Sequence, residues 1–190
     1  LSATGLTLTE KGALAVNEHC QTVVPHIYGV GDLIGPPGLA SSAMEQGRRA
    51  VCHALGLSEG QFGSTIPIGI YTIPEMSSIG MDEVAASTRY RGIIAGRARF
   101  DEIARGQISG ISHGLLKMIA DPTGEHLLGV QIVGEGATEL IHMGQMALQH
   151  AATIDSFVEN IFNFPTLAES YRVAALDIVG QRQKRAAIAA

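Results

Sequence analysis

The stretch "IYGVGDLIGPPGLASSAMEQGRRA", residues 27–50, decides how the rest of the chain is read. An apolar run reaches Gly31-Asp32, a Pro/Gly turn follows, and a helix opens on small residues. An acidic side chain leaving an apolar strand can accept hydrogen bonds from ligand hydroxyls. The helix start near Leu39 and Ala40 adds backbone N–H groups and the positive end of a dipole. The same Asp32 could equally close its own turn through the backbone. No glycine-rich phosphate loop accompanies this holding site. "GEGATE" (134–139) lacks the third glycine of a dinucleotide fingerprint and follows an expected hairpin. Neither a Walker loop nor a G-x-S-x-G elbow occurs.

Composition narrows the function classes. The 190 residues are 46% hydrophobic and 16% charged, with 23 glycines, which describes a globular chain of one large or two small domains. A formal charge of −5 excludes nucleic acid as the expected partner, because phosphate binding needs a clustered basic face. The one basic run, "RQKR" at 182–185, reads as part of a solvated tail, 182–190. No apolar run approaches the roughly 20 residues that span a bilayer, so no membrane partner is expected. Cys20 and Cys52 are too few and too far apart for a disulfide framework or a zinc site. They read as reduced, buried thiols, and the location expected from them is cytoplasmic. A first residue of Leu rather than Met suggests a cut piece or a removed leader.

Residues 1–34 read as short strands and turns, with "GALAVN" (12–17) and "HIYGVG" (26–31) as the strands. A helix over 40–55 places Ala40, Ala43, Met44, Gly47, Ala50, Val51 and Leu55 on one side. "GLSEGQFGST" (56–65) is polar and glycine-rich, the best linker candidate. Beyond it, 66–71, 76–80, 91–100, 114–120 and 127–134 read as strands, with a short helix at 81–88. "DPTGE" (121–125) marks a hairpin turn. Helical periodicity then takes over at 136–151, 154–161 and 165–180. Strands followed by helices predict an α+β domain built on a mostly antiparallel sheet.

Other candidates are weaker. Thr166 and Glu169 form T-x-x-E at a helix start, the pattern of a capping box. Glu139 and His142 sit at i, i+3, a spacing used in helical metal sites, but no second copy exists. His19, His26, His53, His113, His126 and His150 show no ligand spacing, so no metal site is expected.

"QTVVPHIYGVGDLIGPPGLASSAMEQGR" (21–48) closely resembles the second flavin-binding segment of the pyridine nucleotide–disulfide oxidoreductase family. The resemblance implies that Asp32, after Gly31, binds the ribityl chain of FAD. It also implies that the backbone around Leu39 and Ala40 faces the pyrimidine end of the isoalloxazine. "IPIGIYTIPEMSSIG" (66–80) and "NFPTLAESYRVAAL" (163–176) look like the opening and closing segments of the family's dimerisation domain. Within the family, "IGIYTIPEMSSIG", "ARGQISG" and "FNFPTLAESYRVAAL" resemble the soluble, flavin-dependent transhydrogenases, which pass hydride between NADPH and NAD through FAD.

The resemblance implies the C-terminal part of a longer flavoenzyme. On this reading 1–58 is a remnant of the FAD domain, 59–65 a linker, and 66–181 a domain that pairs with a second copy. The phosphate loop and the NAD or NADP domain would lie upstream, and the piece alone should be inactive and hold FAD weakly or not at all. The family's disulfide reductases place a His before the Pro-Thr, paired with the Glu matched by Glu169. Here that position is Phe164, which cannot move protons. Dithiol chemistry of the dihydrolipoamide dehydrogenase or mercuric reductase kind is the alternative this disfavours. The rival from another class is a stand-alone dimerisation module.

Overall fold

The computed structural model describes residues 2–60, 63 and 65–189 and divides into two compact units, 1–62 and 63–190. The expected linker falls at this division, although its residues Gln61, Phe62 and Ser64 lie outside the described set.

The first unit has little regular structure. The expected strands at 12–17 and 26–31 form only isolated bridges, Leu8 with Leu14 and Gln21 with Tyr28. Neither run finds a continuous neighbouring edge to pair with, and backbone hydrogen bonds are made in turns instead. A short 3-10 turn, Gly31–Ile34, leads to helix α1, Ala40–Ala54. The face of α1 differs from expectation. Ser42, Gln46 and Ala50 are buried, whereas Met44, Val51 and Leu55 of the expected apolar stripe are exposed. The i, i+4, i+8 row that meets the rest of this unit is the mostly polar one.

The second unit holds five strands: β1 (Ile68–Ile70), β2 (Met76–Gly80), β3 (Ile94–Arg99), β4 (Leu115–Ala120) and β5 (Leu127–Val133). They form one sheet in the order β1-β2-β5-β4-β3, every pairing antiparallel, as the α+β reading requires. Strand period separates the two faces. One row, Ile79, Val130, Met118 and Gly96, lies on the covered face. A row on the other face, Ser78, Gln131, Lys117 and Arg97, is polar.

Helices α2 (Glu83–Arg89), α3 (Ala104–Ser109), α4 (Ala137–Gln149), α5 (Ile154–Glu159) and α6 (Glu169–Ala189) complete this unit. Asp82 caps α2 by accepting from Ala85 N, and Thr153 caps α5 by accepting from Ser156 N. Helix α4 packs on β2 and β5, and α6 on β3 and β4. Glycine lets α6 come close: a Cβ at Gly96 would lie 2.1 Å from the Ala174 carbonyl oxygen. A core of nineteen buried residues results, including Phe100, Leu116, Ile141 and Tyr171. The Tyr171 hydroxyl donates to Leu140 O and accepts from Gly144 N, which pins α6 to α4. Burial pushes that phenol's pKa up.

The expected tail is solvated, with residues 183–188 exposed, but it is helical and tied down at two arginines. Residues 182–189 continue α6. Arg182 bridges to Asp155 at 2.7 Å, and Arg185 donates to the carbonyls of Gly92 and Ile93. Partners distant in sequence hold the basic run down, and no local pattern announces them.

Candidate functional site

The cradle suggested by Asp32 lies within the first unit. Gly31 sits at φ +73° and donates its N–H to the buried Gln46 Oε1 at 2.7 Å. The turn is thereby tied to the helix that follows it, and Asp32 is left exposed on the turn. A Cβ at Gly38 would lie 3.2 Å from Asp32 Oδ1, so a side chain there would press on the carboxylate. Leu39 is the N-cap of α1, with extended backbone and no side-chain cap. No acidic residue occupies the first turn. The carboxylate at the positive end of α1 is therefore that of Asp32, beside Gly38. A carboxylate that accepts from hydroxyls, beside a helix start that donates to a carbonyl edge, fits the ribityl chain and pyrimidine ring of a flavin. Gln46 was not singled out from sequence. Its signal was a polar residue on the i+4 row from Ser42.

The second unit carries the closing loop, Phe162 to Glu169. Glu169 Oε2 accepts from Thr166 N at 3.1 Å, which is one half of a capping box. The Thr166 hydroxyl donates to Asn163 O at 2.8 Å. Arg105 reaches across from α3 and donates through both Nε and Nη2 to Pro165 O, at 3.1 and 3.0 Å. With the loop held at these points, the Phe164 ring stands 73% exposed. Its neighbours supply no proton-transfer side chain, and the Glu169 carboxylate is engaged on the backbone.

The remaining sequence candidates separate. His142 Nδ1 pairs with Gln145 Oε1 at 2.8 Å, and with Glu139 it joins no three-ligand group among the described residues. Cys20 is buried, and burial pushes its thiol pKa up. Cys52 is only half-buried, which corrects the expectation of two buried thiols. Neither cysteine is in a disulfide. No helix of the described residues is long and apolar enough to cross a membrane.

The second unit is an antiparallel sheet backed by helices, and the first offers a Gly-Asp turn and a helix without a side-chain cap. The chain belongs to the pyridine nucleotide-disulphide oxidoreductase family: its dimerisation domain matches residues 66–175, and the family's oxidoreductase domain matches residues 1–47. The soluble pyridine nucleotide transhydrogenase of Mycobacterium bovis (strain BCG / Pasteur 1173P2) is 43% identical over 177 residues, covering 93% of this chain and 38% of that protein. That of Aliivibrio fischeri is 46% identical over 184 residues, with the same two shares. Among solved structures, LpdA from Mycobacterium tuberculosis superposes with a TM-score of 0.79 at 26% identity, over 90% of this chain and 38% of its own. The flavoprotein disulfide reductase RclA from Escherichia coli shares the fold, with a TM-score of 0.82 at 23% identity, over 90% of this chain and 40% of its own. The chain thus spans about two fifths of the length of these relatives.

Proposed function

We propose that this chain forms the C-terminal part of a soluble, FAD-dependent pyridine nucleotide transhydrogenase. Residues 1–58 complete its flavin site, and residues 66–181 pair with a second copy. Asp32 accepts from the ribityl hydroxyls, Gly31 gives that carboxylate its place, and the backbone at Leu39 and Ala40 donates to the pyrimidine edge. The bound flavin supplies the hydride relay between NADPH and NAD. The chain's own residues bind and orient it, and they move no proton. Exposed apolar side chains support pairing: Ile161 is 92% exposed, and Met146 and Phe164 are exposed too. The closing loop would then shape the pocket beside the partner's flavin.

One observation carries this reading. The loop is well anchored yet offers no acid or base, since Phe164 is a hydrocarbon ring and Glu169 serves the backbone. Hydride relay needs no such group, whereas dithiol chemistry does.

The decisive experiment joins this chain to the upstream part of the Aliivibrio fischeri relative and measures hydride transfer from NADPH to a thio-NAD analogue. A yellow chimera that reduces the analogue and leaves lipoamide untouched supports the reading. A chimera that oxidises dihydrolipoamide instead overturns it. The chain alone should sediment as a colourless dimer without this activity. Stoichiometric flavin on it would refute the expectation of weak FAD binding, and a monomer would refute pairing through 66–181.

A further inference from the structure

Outside the flavin cradle, the first unit gathers three residues that no sequence spacing links. His19, His53 and Glu59 each place a ligand atom within 4.8 Å of the others. We propose that they form a binding site for a divalent transition-metal ion of the zinc class. Two imidazoles and one carboxylate make a donor set that suits zinc, cobalt or nickel and is too nitrogen-rich for magnesium or calcium.

The surroundings prepare each ligand. His53 Nδ1 lies 2.7 Å from the Tyr28 hydroxyl. The same hydroxyl accepts from Gln21 Nε2 at 3.3 Å, and its contact with Nδ1 fixes the ring's orientation, as an outer-shell partner of a metal-bound histidine does. Glu59 is nearly enclosed, with 13% of its side chain exposed. Arg49 Nη2 holds its Oε2 at 3.0 Å, which turns Oε1 toward His19 Nδ1 at 2.6 Å. That His19 nitrogen is shielded from solvent, yet the contact is too poorly aligned for a hydrogen bond. Arg48 and Arg49 also donate to the carbonyls of Glu59 and Gly60, so the backbone carrying the carboxylate is fixed from two sides.

The two imidazoles stack, with centroids 4.2 Å apart and 13° between their planes. Their lone pairs lie in nearly parallel planes, so an ion held by both requires one ring to turn. His19, a third exposed, is the ring with room to do so. Metal uptake should therefore break the stack and leave a spectroscopic mark.

The test uses the purified 190-residue chain, freed of metal with a chelator and titrated with Zn²⁺ by calorimetry and with Co²⁺ by visible absorption. One saturating equivalent is expected, together with loss of the ring-current shifts on the His19 and His53 ring protons. His19→Ala, His53→Ala and Glu59→Gln should each weaken binding roughly tenfold or more. His142→Ala, on α4, should leave it unchanged. Should His53→Ala disturb folding through Tyr28, Glu59→Gln decides the matter, because it alters one atom and keeps the shape. Absence of saturable binding, binding that survives the His19 and Glu59 changes, or equal loss in His142→Ala would each reduce the cluster to an ion-pair clamp and overturn the proposal.

Discussion

The two units handle the hydrophobic effect in opposite ways. The second encloses nineteen residues in one continuous core. In the first, the fully buried apolar side chains are few: Leu6, Leu14, Cys20 and Ala50 among them. Larger ones stay in water there, with Val23 at 82%, Met44 at 76% and Leu55 at 68% exposure. A fold can stand alone when its apolar surface covers itself. The second unit has such a core, although Ile161 and Phe164 stay exposed on it, and the first has none of comparable size. The first is held largely by polar ties such as Gly31–Gln46 and the Arg49–Glu59 pair.

The largest expected effect breaks this comparison outright if it fails. Amide exchange in β3, β4 and β5 should require global unfolding, while amides of 2–60 open at free energies lower by several kcal/mol. Equal protection across both units, read by hydrogen exchange and mass spectrometry, would contradict the contrast. Phe100→Ala follows, at about 3–5 kcal/mol lost in urea melts, because the ring is fully buried under the second unit's core.

Arg105→Ala should cost roughly 1–3 kcal/mol, since both hydrogen bonds to Pro165 O vanish and the carbonyl loses its charged partner. Limited proteolysis should then cut first within 160–168. Asp155→Asn is smaller. Arg182 beside Asp155 holds that carboxyl below its usual range. A depressed carboxylate stabilises the fold above its unfolded pKa of about 4 and loses that stability as pH falls through the folded value. The exposed pair is worth about 0.2–1 kcal/mol, so Asp155→Asn should lower stability at neutral pH by that much and flatten the acid limb of the melts. Smallest of all, the double change Met44→Ser and Val51→Ser in the first unit should stay within about 0.5 kcal/mol, since neither side chain is buried. A larger loss would mean that the exposed stripe of α1 is covered in solution.

Much of the second unit was legible because its signals are local. Alternating burial along β3 follows the period of two, and "DPTGE" makes its hairpin. The first unit was less legible. Residues 12–17 and 26–31 have the composition of strands, but a strand needs an edge to pair with, and pairing is not a local property.

The candidate site divides along the same line. Gly31, Asp32, Leu39 and Ala40 stand out because the turn and the helix start are contiguous in sequence. Arg105 and the ties of Arg182 and Arg185 were invisible, since each meets a partner from a different element. His19, His53 and Glu59 show the limit most clearly, because no spacing rule joins three residues spread over forty positions. Sequence by itself determined the order of the five strands, the turn before α1 and the absence of an acid or base at Phe164, all of which depend on neighbours along the chain, whereas α3 went unread. Tertiary structure alone decided which face of α1 is buried, which carbonyls the arginines hold and which ligands converge. Those outcomes depend on long-range contacts whose partners no local pattern encodes.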